Sequence, residues 1–298
     1  MSKFNGQNIL EFAEEFSTEE KCKMYLEKFK WGDGFHCPVC NHDQYYPGHK
    51  PFTRQCKNCR RIDSVTANTL FHKVKFGLHK AFWIVFEMSS TTKSISSNMM
   101  AKRMGISQKT AWFFMQKVRK AMKSSENFPM EGNVHVDEFV IGQKEEGKPG
   151  RSRDTKKKKV VCAVEFTNDH KVKRFYAKPI ADYSSDEVRM LFDKHIDKKA
   201  MVTTDKWTAY QVIASQYNIK QVESRMGKNF RELHLVISSL KSWIRAIPTH
   251  VTRFHLQAYL DEFSFRINRS IFKETVFHKL IERMMFAHHQ SWQNIVST

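Results

Sequence analysis

Four cysteines fall in two short pairs, Cys37-Pro-Val-Cys40 and Cys56-Lys-Asn-Cys59, with fifteen residues between the pairs. Two such knuckles can close on one tetrahedral Zn²⁺ through four thiolates, and four sulfur ligands leave no coordination position for water. The expected site is therefore structural, holding together a module too small to fold on its own apolar core. Unmetallated cysteines are the plain alternative. His36 is surplus to a four-sulfur site. Arg54, Lys57, Arg60 and Arg61 crowd the second knuckle, either as a basic surface or as ordinary solvated charges. Cys22 and Cys162 stand alone in helix-like and strand-like contexts, where small buried hydrophobes are the expected role.

A second chemistry is suggested by acids set in apolar runs. Asp137 lies in "VHVDEFVIG", which reads as a buried strand interrupted by an acid pair, and Asp205 closes "MVTTD". A carboxylate in a core strand costs several kcal/mol unless it is paired or bound to a cation. Either acid alone could be a turn or capping residue; both together, each at an apolar strand, suggest a shared cation site. Many nucleases handle a phosphodiester with two metal ions about 4 Å apart. Two carboxylates rarely hold both ions, and the available third ligand is His234, twenty-nine positions after Asp205. His234 opens "ELHLVISSLKSWIRAI" (Glu232 to Ile247), an amphipathic helix whose apolar stripe is Leu233, Val236, Ile237, Leu240 and Ile244. His234 and Lys241 lie off that stripe. Seven residues is almost two turns, so the two share a face about 10 Å apart along the axis. A plain solvated face is the competing reading.

The elements that must position these groups fall into three compositional regions. Residues 1–75 begin with two helices, "ILEFAEEF" and "TEEKCKMYLEKFKW", the second capped by Ser17 or Thr18, and then turn loop-rich around the cysteines. Residues 76–128 read as helical. Within them "SISSNMMAKRMGISQKTAWFFMQKVRKAM" has the build of a helix-turn-helix, with Gly105 ending the first helix and Ser107 capping the second. Gln108, Lys109 and Thr110 then stand at the front of a helix that could enter a major groove; an ordinary helical hairpin is the alternative. After Pro129 the period changes to strands, "NVHVDEFVIG", "KKVVCAVEFT", "VKRFYAKPI" and "AMVTTD", with helices from Ser184 onward, and residues 129–298 form the third region.

The chain has 298 residues, 41% of them hydrophobic, enough for a sizeable core, and a formal net charge of +19. Such an excess repels itself unless it faces a polyanion, and nucleic acid is the first candidate. No stretch is long and apolar enough to span a bilayer, and the N-terminal residues lack a signal peptide's apolar core, so a soluble intracellular protein with reduced thiols is expected. From Arg151 to Lys178 ten basic residues face three acidic ones. The run holding Arg151, Arg153, Lys156, Lys157, Lys158 and Lys159 joins the first two strands, where it could lie along DNA as a phosphate contact surface without sequence readout.

The chain resembles the DDE-type insertion-sequence transposases of the ISXO-like group, which are similar to Merlin transposases. The stretches that carry the resemblance are "TEEKCKMYLEKFKWGDGFHCPVC", "SVTANTLFHKVKFGLHKAFW", "HVDEFVIGQKEEGKPGRSRDTKKKKVVCAVE", "VTTDKWTAY" and "HVTRFHLQAYLDEFSFRINRS". It implies a zinc ribbon and helix-turn-helix ahead of a ribonuclease-H-like α/β catalytic domain. It also implies first and second acids at Asp137 and Asp205, a third ligand at His234 and a characteristic lysine at Lys241. A His there removes one negative charge from the usual Glu position and leaves the metal, Mg²⁺ or Mn²⁺, open. Glu232 is the rival ligand, but two residues along a helix turn a side chain by about 200° away from the face of His234 and Lys241. The implied activity is binding of terminal inverted repeats in double-stranded DNA, cleavage at the element ends and joining of the 3′ hydroxyl to target DNA. A homodimer or larger assembly on DNA is implied as well, in the cytoplasm or nucleoid of a bacterium or the nucleus of a eukaryote. The alternatives are a catalytically inactive, domesticated DNA-binding protein and a metal-dependent nuclease without strand transfer.

Overall fold

The computed structural model describes residues 4–142, 145, 156–225, 227–247 and 251–296. Two compact units form, one from Met1–Met122 with Phe272–Thr298 and one from Lys123–Ile271.

The first unit runs α1 (Ile9–Glu15), α2 (Glu19–Trp31), strands β1 (Tyr45–Pro47), β2 (Thr53–Cys56) and β3 (Ile62–Ser64), then α3 (Leu78–Ser90), α4 (Ser97–Met104) and α5 (Gln108–Met122). The side chain of Thr18 caps α2 by accepting from the Lys21 amide at 3.2 Å, and Glu19 and Glu20 in its first turn complement the helix dipole. The three strands form an antiparallel sheet in the order β1-β2-β3. Lys30 ties α2 to it, donating to Asp63 Oδ1 at 2.9 Å and to the carbonyls of Ser64 and Ala67 at 2.6 and 2.8 Å. α4 ends on Gly105 in the left-handed region at φ 60°, and the Ser107 side chain caps α5 by accepting from the Thr110 amide at 3.2 Å.

The second unit contains β4 (Asn133–Ile141), β5 (Lys158–Phe166), β6 (Val172–Ile180), α6 (Ser185–His195), β7 (Met201–Thr204), α7 (Thr208–Ile213), β8 (Ile219–Gln221), α8 (Arg231–Arg245) and α9 (Leu256–Ile267). Its five-stranded sheet has the order β6-β5-β4-β7-β8. β4, β5 and β6 are an antiparallel meander, whereas β7 and β8 run parallel to β4 and to each other. Helices cover both faces. Phe139, Ile141, Val160 and Cys162 pack under α8 and α9, and Val134, Val136, Val161 and Ala163 pack under α6 and α7. β5 is buried on both sides, so its sequence is a continuous apolar run rather than an alternation. This is a mixed α/β, ribonuclease-H-like arrangement.

Two helices close the chain, α10 (Lys273–Phe286) and α11 (Trp292–Val296), and both belong to the first unit. The sequence reading assigned residues 272–298 to the catalytic domain and split residues 1–128 in two. The structure differs because α10 finds its core elsewhere: Phe277, fully buried, contacts the rings of Phe4, Phe12 and Phe16 at 5.4 to 5.5 Å. The Leu70 amide donates to the Met284 carbonyl at 3.0 Å. Phe4, α1 and α2 share that aromatic core, to which α3 adds Phe82 and Phe86. Among the described residues, no helix is long and apolar enough to cross a membrane.

Candidate active site and zinc centre

The two knuckles repeat one backbone device. The Asn41 amide donates to the Cys37 carbonyl and the Arg60 amide to the Cys56 carbonyl, at 2.9 and 3.1 Å. Asn41 and Arg60, each just after the second cysteine, adopt left-handed φ of 57° and 60°. The return turns bring all four sulfurs within 4.8 Å of one another, with Cys37 to Cys59 at 3.5 Å and Cys40 to Cys56 at 3.6 Å. Tetrahedral Zn–S bonds of about 2.3 Å require sulfurs about 3.8 Å apart, so the donor set fits Zn²⁺. The electrostatics fit as well. The His42 amide draws the Cys40 thiol down to about 6 and the Cys40 amide lowers Cys37. Cys59 is pushed up to about 12, despite the Arg61 amide, by desolvation and its sulfur neighbours. Four thiolates cannot share this space without a cation at its centre. His36 is exposed and outside the cluster. Arg54 is not part of a free basic surface: its guanidinium lies 4.2 Å from the Trp31 ring and 4.3 Å from the Tyr45 ring and pairs with Glu27. Lys57 and Arg60 lie over Tyr46 at 5.2 and 5.4 Å.

The acid site is assembled from distant segments. β4 and β7 pair in parallel with His135 against Thr203; carried two residues further, that register sets Asp137 beside Asp205, just past the end of β7. Neighbouring strands lie about 4.8 Å apart, so the two carboxylates emerge from adjacent backbones. Strand alternation sends Asp137 to the same face as Phe139 and Ile141, the face that α8 covers. There His234 Nε2 lies 3.7 Å from Asp137 Oδ2. Lys241 shares the helix face, with Nζ 5.3 Å from the Phe139 ring; burial and then Arg245 lower its pKa, and Asp137 opposes them. Cys162, fully buried, pairs with Asp137 across β4 and β5, and burial holds it as a thiol.

His234 contacts a carboxylate, yet burial and then Lys241 lower its pKa. Near neutral pH this contact is therefore not an ion pair, and a neutral imidazole is the form that ligates metal. Glu232 acts instead on His135, two residues before Asp137 on β4. Asp205 is held by its local turn: Oδ1 accepts from the Trp207 amide at 3.0 Å, and its carbonyl accepts from Gln221 Nε2 at 3.2 Å. Gln221, on the three-residue β8, also donates to the Trp207 carbonyl at 3.0 Å. Sequence reasoning missed it because so short a strand carries no periodic signal. On the opposite face Tyr210 is fully buried, and its phenol is pushed well up by burial and then by Glu138, Asp137 and Asp205. Among the described residues the cysteines are the one set of three or more ligand atoms that already converge; Asp137, Asp205 and His234 are neighbours that do not.

The other expected contact residues have mixed fates. Arg151 and Arg153 lie outside the described residues. Lys156 is exposed, and Lys157 lies beside Gly142 and acts on Lys241. Lys158 and Lys159, expected on the phosphate-facing surface, turn inward: Lys158 Nζ donates to the Val251 carbonyl, and Lys159 Nζ, on a buried side chain, donates to the Ala181 carbonyl at 3.2 Å. Both belong to β5, and its pairing carries them into the sheet. At the front of α5, Gln108 donates to Ser97 Oγ at 2.8 Å, Lys109 lies 4.7 Å from the Trp292 ring, and Thr110 bonds Ser107.

Residues 129–268 match the ISXO2-like transposase domain, and residues 17–61 match the transposase zinc-ribbon domain. The chain belongs to the ISXO2-like, DDE-type transposases. The two matches together cover more than half of it. No curated protein matches the chain. The cysteine cluster is thus the structural zinc site of a transposase ribbon, and the β4-β7 acids lie in the transposase domain.

Proposed function

We propose that this transposase binds the terminal inverted repeats of its element, hydrolyses a phosphodiester at each end and joins the freed 3′ hydroxyl to target DNA. The observation that carries this reading is His234 Nε2 3.7 Å from Asp137 Oδ2, supported by a parallel β4-β7 register that, continued past His135 and Thr203, leads Asp205 toward Asp137. Two carboxylates and a neutral imidazole are a donor set suited to Mg²⁺ or Mn²⁺. When bound, such ions supply Lewis-acid stabilisation of the attacking and departing oxygens.

Asp137, Asp205 and His234 would hold the metal, and Lys241 and Lys157 would orient the phosphate as point charges. In the first step water forms a bond to phosphorus and the bond to the 3′ oxygen breaks, leaving a free 3′ hydroxyl. In the second, that hydroxyl bonds to a target phosphorus as a target P–O bond breaks, so no covalent protein intermediate is needed. The zinc ribbon and the α4-α5 pair hold DNA. Processing two ends together calls for a dimer or larger assembly, acting wherever the host keeps its DNA. The test is strand transfer from a precut end with Mg²⁺ or Mn²⁺. Wild type should join it, and Asp137→Ala or Asp205→Ala should lose at least about 10²-fold in rate while still binding DNA. Joining at the normal rate by either variant refutes the assignment; cutting without joining by wild type identifies a nuclease, and binding without cutting an inactive DNA-binding protein.

A further inference from the structure

Within the first unit, the segment 73–76, residues 109–117 of α5 and Trp292 of α11 line a pocket of about 300 Å³ that opens to solvent. Its walls are of two kinds. Phe76, Phe113 and Trp292 supply aromatic surface, with the Phe113 and Trp292 rings 5.2 Å apart and tilted by 53°. Lys73, Lys75, Lys109 and Lys117 supply charge, and among the described residues no acid lines the cavity.

Lys117 is the decisive side chain. It is only 3% exposed although it borders the cavity, and its Nζ lies 5.0 Å from the Phe113 ring. Among the described residues its hydrogen bond is to one carbonyl, that of His72 at 3.4 Å. A carbonyl uses one of three ammonium donors and neutralises no charge. Burial alone brings this amine down to about 8, so no carboxylate compensates it. A buried ammonium without a counterion is costly unless an anion completes it. The cavity therefore asks for a ligand with a flat π face and a negative charge close to it. A nucleotide has both, and a base inside a duplex cannot offer its face to a side chain.

We propose that this cavity receives an unpaired nucleotide of bound DNA, with its base against Trp292 and Phe113 and its phosphate on Lys117 and Lys109. The proposal rests on the reading that the chain binds DNA, and it gives α11 a role: Trp292 is the wall that closes the site. It also revises the role of α5, whose Lys109 and Thr110 border this cavity as well as standing at the helix front where groove contact was expected.

The experiment is fluorescence anisotropy on the full-length, zinc-loaded protein with three labelled probes: an eight-nucleotide oligothymidylate, an abasic octamer with the same phosphates, and a duplex. The proposal expects oligothymidylate to bind about 5- to 150-fold more tightly than the abasic strand, the range for stacking of one base. Trp292→Ala should erase that preference and Trp292→Phe should keep it. Lys117→Met should weaken both single strands alike without loss of thermal stability, since it relieves a buried charge. Equal affinity for the two single strands, or a preference that survives Trp292→Ala, overturns the proposal while duplex binding leaves the DNA reading standing. Failure to bind any of the three probes removes both.

Discussion

The zinc cluster and the acid face are built in opposite ways. Each cysteine pair is shaped by a turn within six residues, so the knuckles need little beyond their own backbone and one ion to bring four sulfurs within 4.8 Å. The acid face takes Asp137 from one strand, Asp205 from the end of another and His234 from a helix, and strand register and helix packing bring them together. The first site is therefore a folding element in which local turns set each cysteine pair and the short β1-β2 pairing, Tyr45 against Cys56, joins the two pairs. The second is carried by a finished core, and its like-charged groups stay near one another because the sheet leaves them no alternative.

That contrast can be broken most severely by removing zinc. Chelation or Cys56→Ser should unfold the ribbon, since structural zinc contributes on the order of 10 kcal/mol or more to such modules. DNA binding should fall with it while the thermal transition of Lys123–Ile271 stays put. Calorimetry of the chelated protein checks this, and a lost second transition would show that the two units do not fold independently. Acid should do the reverse. His195, stacked on Tyr176 at 4.1 Å, is held down to about 4 by burial. The unfolded chain, whose His titrates near 6.5, therefore binds the proton first. Stability is full above about 6.5 and declines as pH falls toward 4, by as much as about 3 kcal/mol. Urea melts of the second unit at pH 7.5 and 4.5 should show that slope, and His195→Gln should flatten it. A smaller effect is expected at Gly227, whose φ is +85° and where an added Cβ would lie 3.3 Å from His234 Nε2. Gly227→Ala should cost about 1–2 kcal/mol of stability and push the imidazole, lowering cleavage more than DNA binding. Cleavage and binding assays on one preparation separate the two.

The same contrast explains what was legible in the sequence. The knuckles were readable because the spacing of Cys37, Cys40, Cys56 and Cys59 is itself the geometry. Strands β4, β6 and β7 and the amphipathic α8 were readable from their apolar pattern, β5 from a continuous apolar run, and Thr18, Gly105 and Ser107 marked helix ends by local hydrogen bonding. The pairing of Asp137 with Asp205 was not, because register depends on how β4 and β7 align. Lys158 and Lys159 looked like part of a solvated run, but β5 extends into it and turns both inward. Nothing in the sequence of α10 says which apolar core it completes. Phe277 packs among aromatics more than 250 positions earlier because a helix face follows available apolar surface, not chain order.

The most direct test of the account is Mn²⁺ binding, followed by electron paramagnetic resonance, to the zinc-loaded wild type and to Asp137→Ala, Asp205→Ala and His234→Ala. Each acid variant should lose the bound signal and His234→Ala should weaken binding by at least about tenfold, with zinc content unchanged. Equal Mn²⁺ affinity in all four proteins would mean that the three residues are neighbours on a sheet and not a metal site.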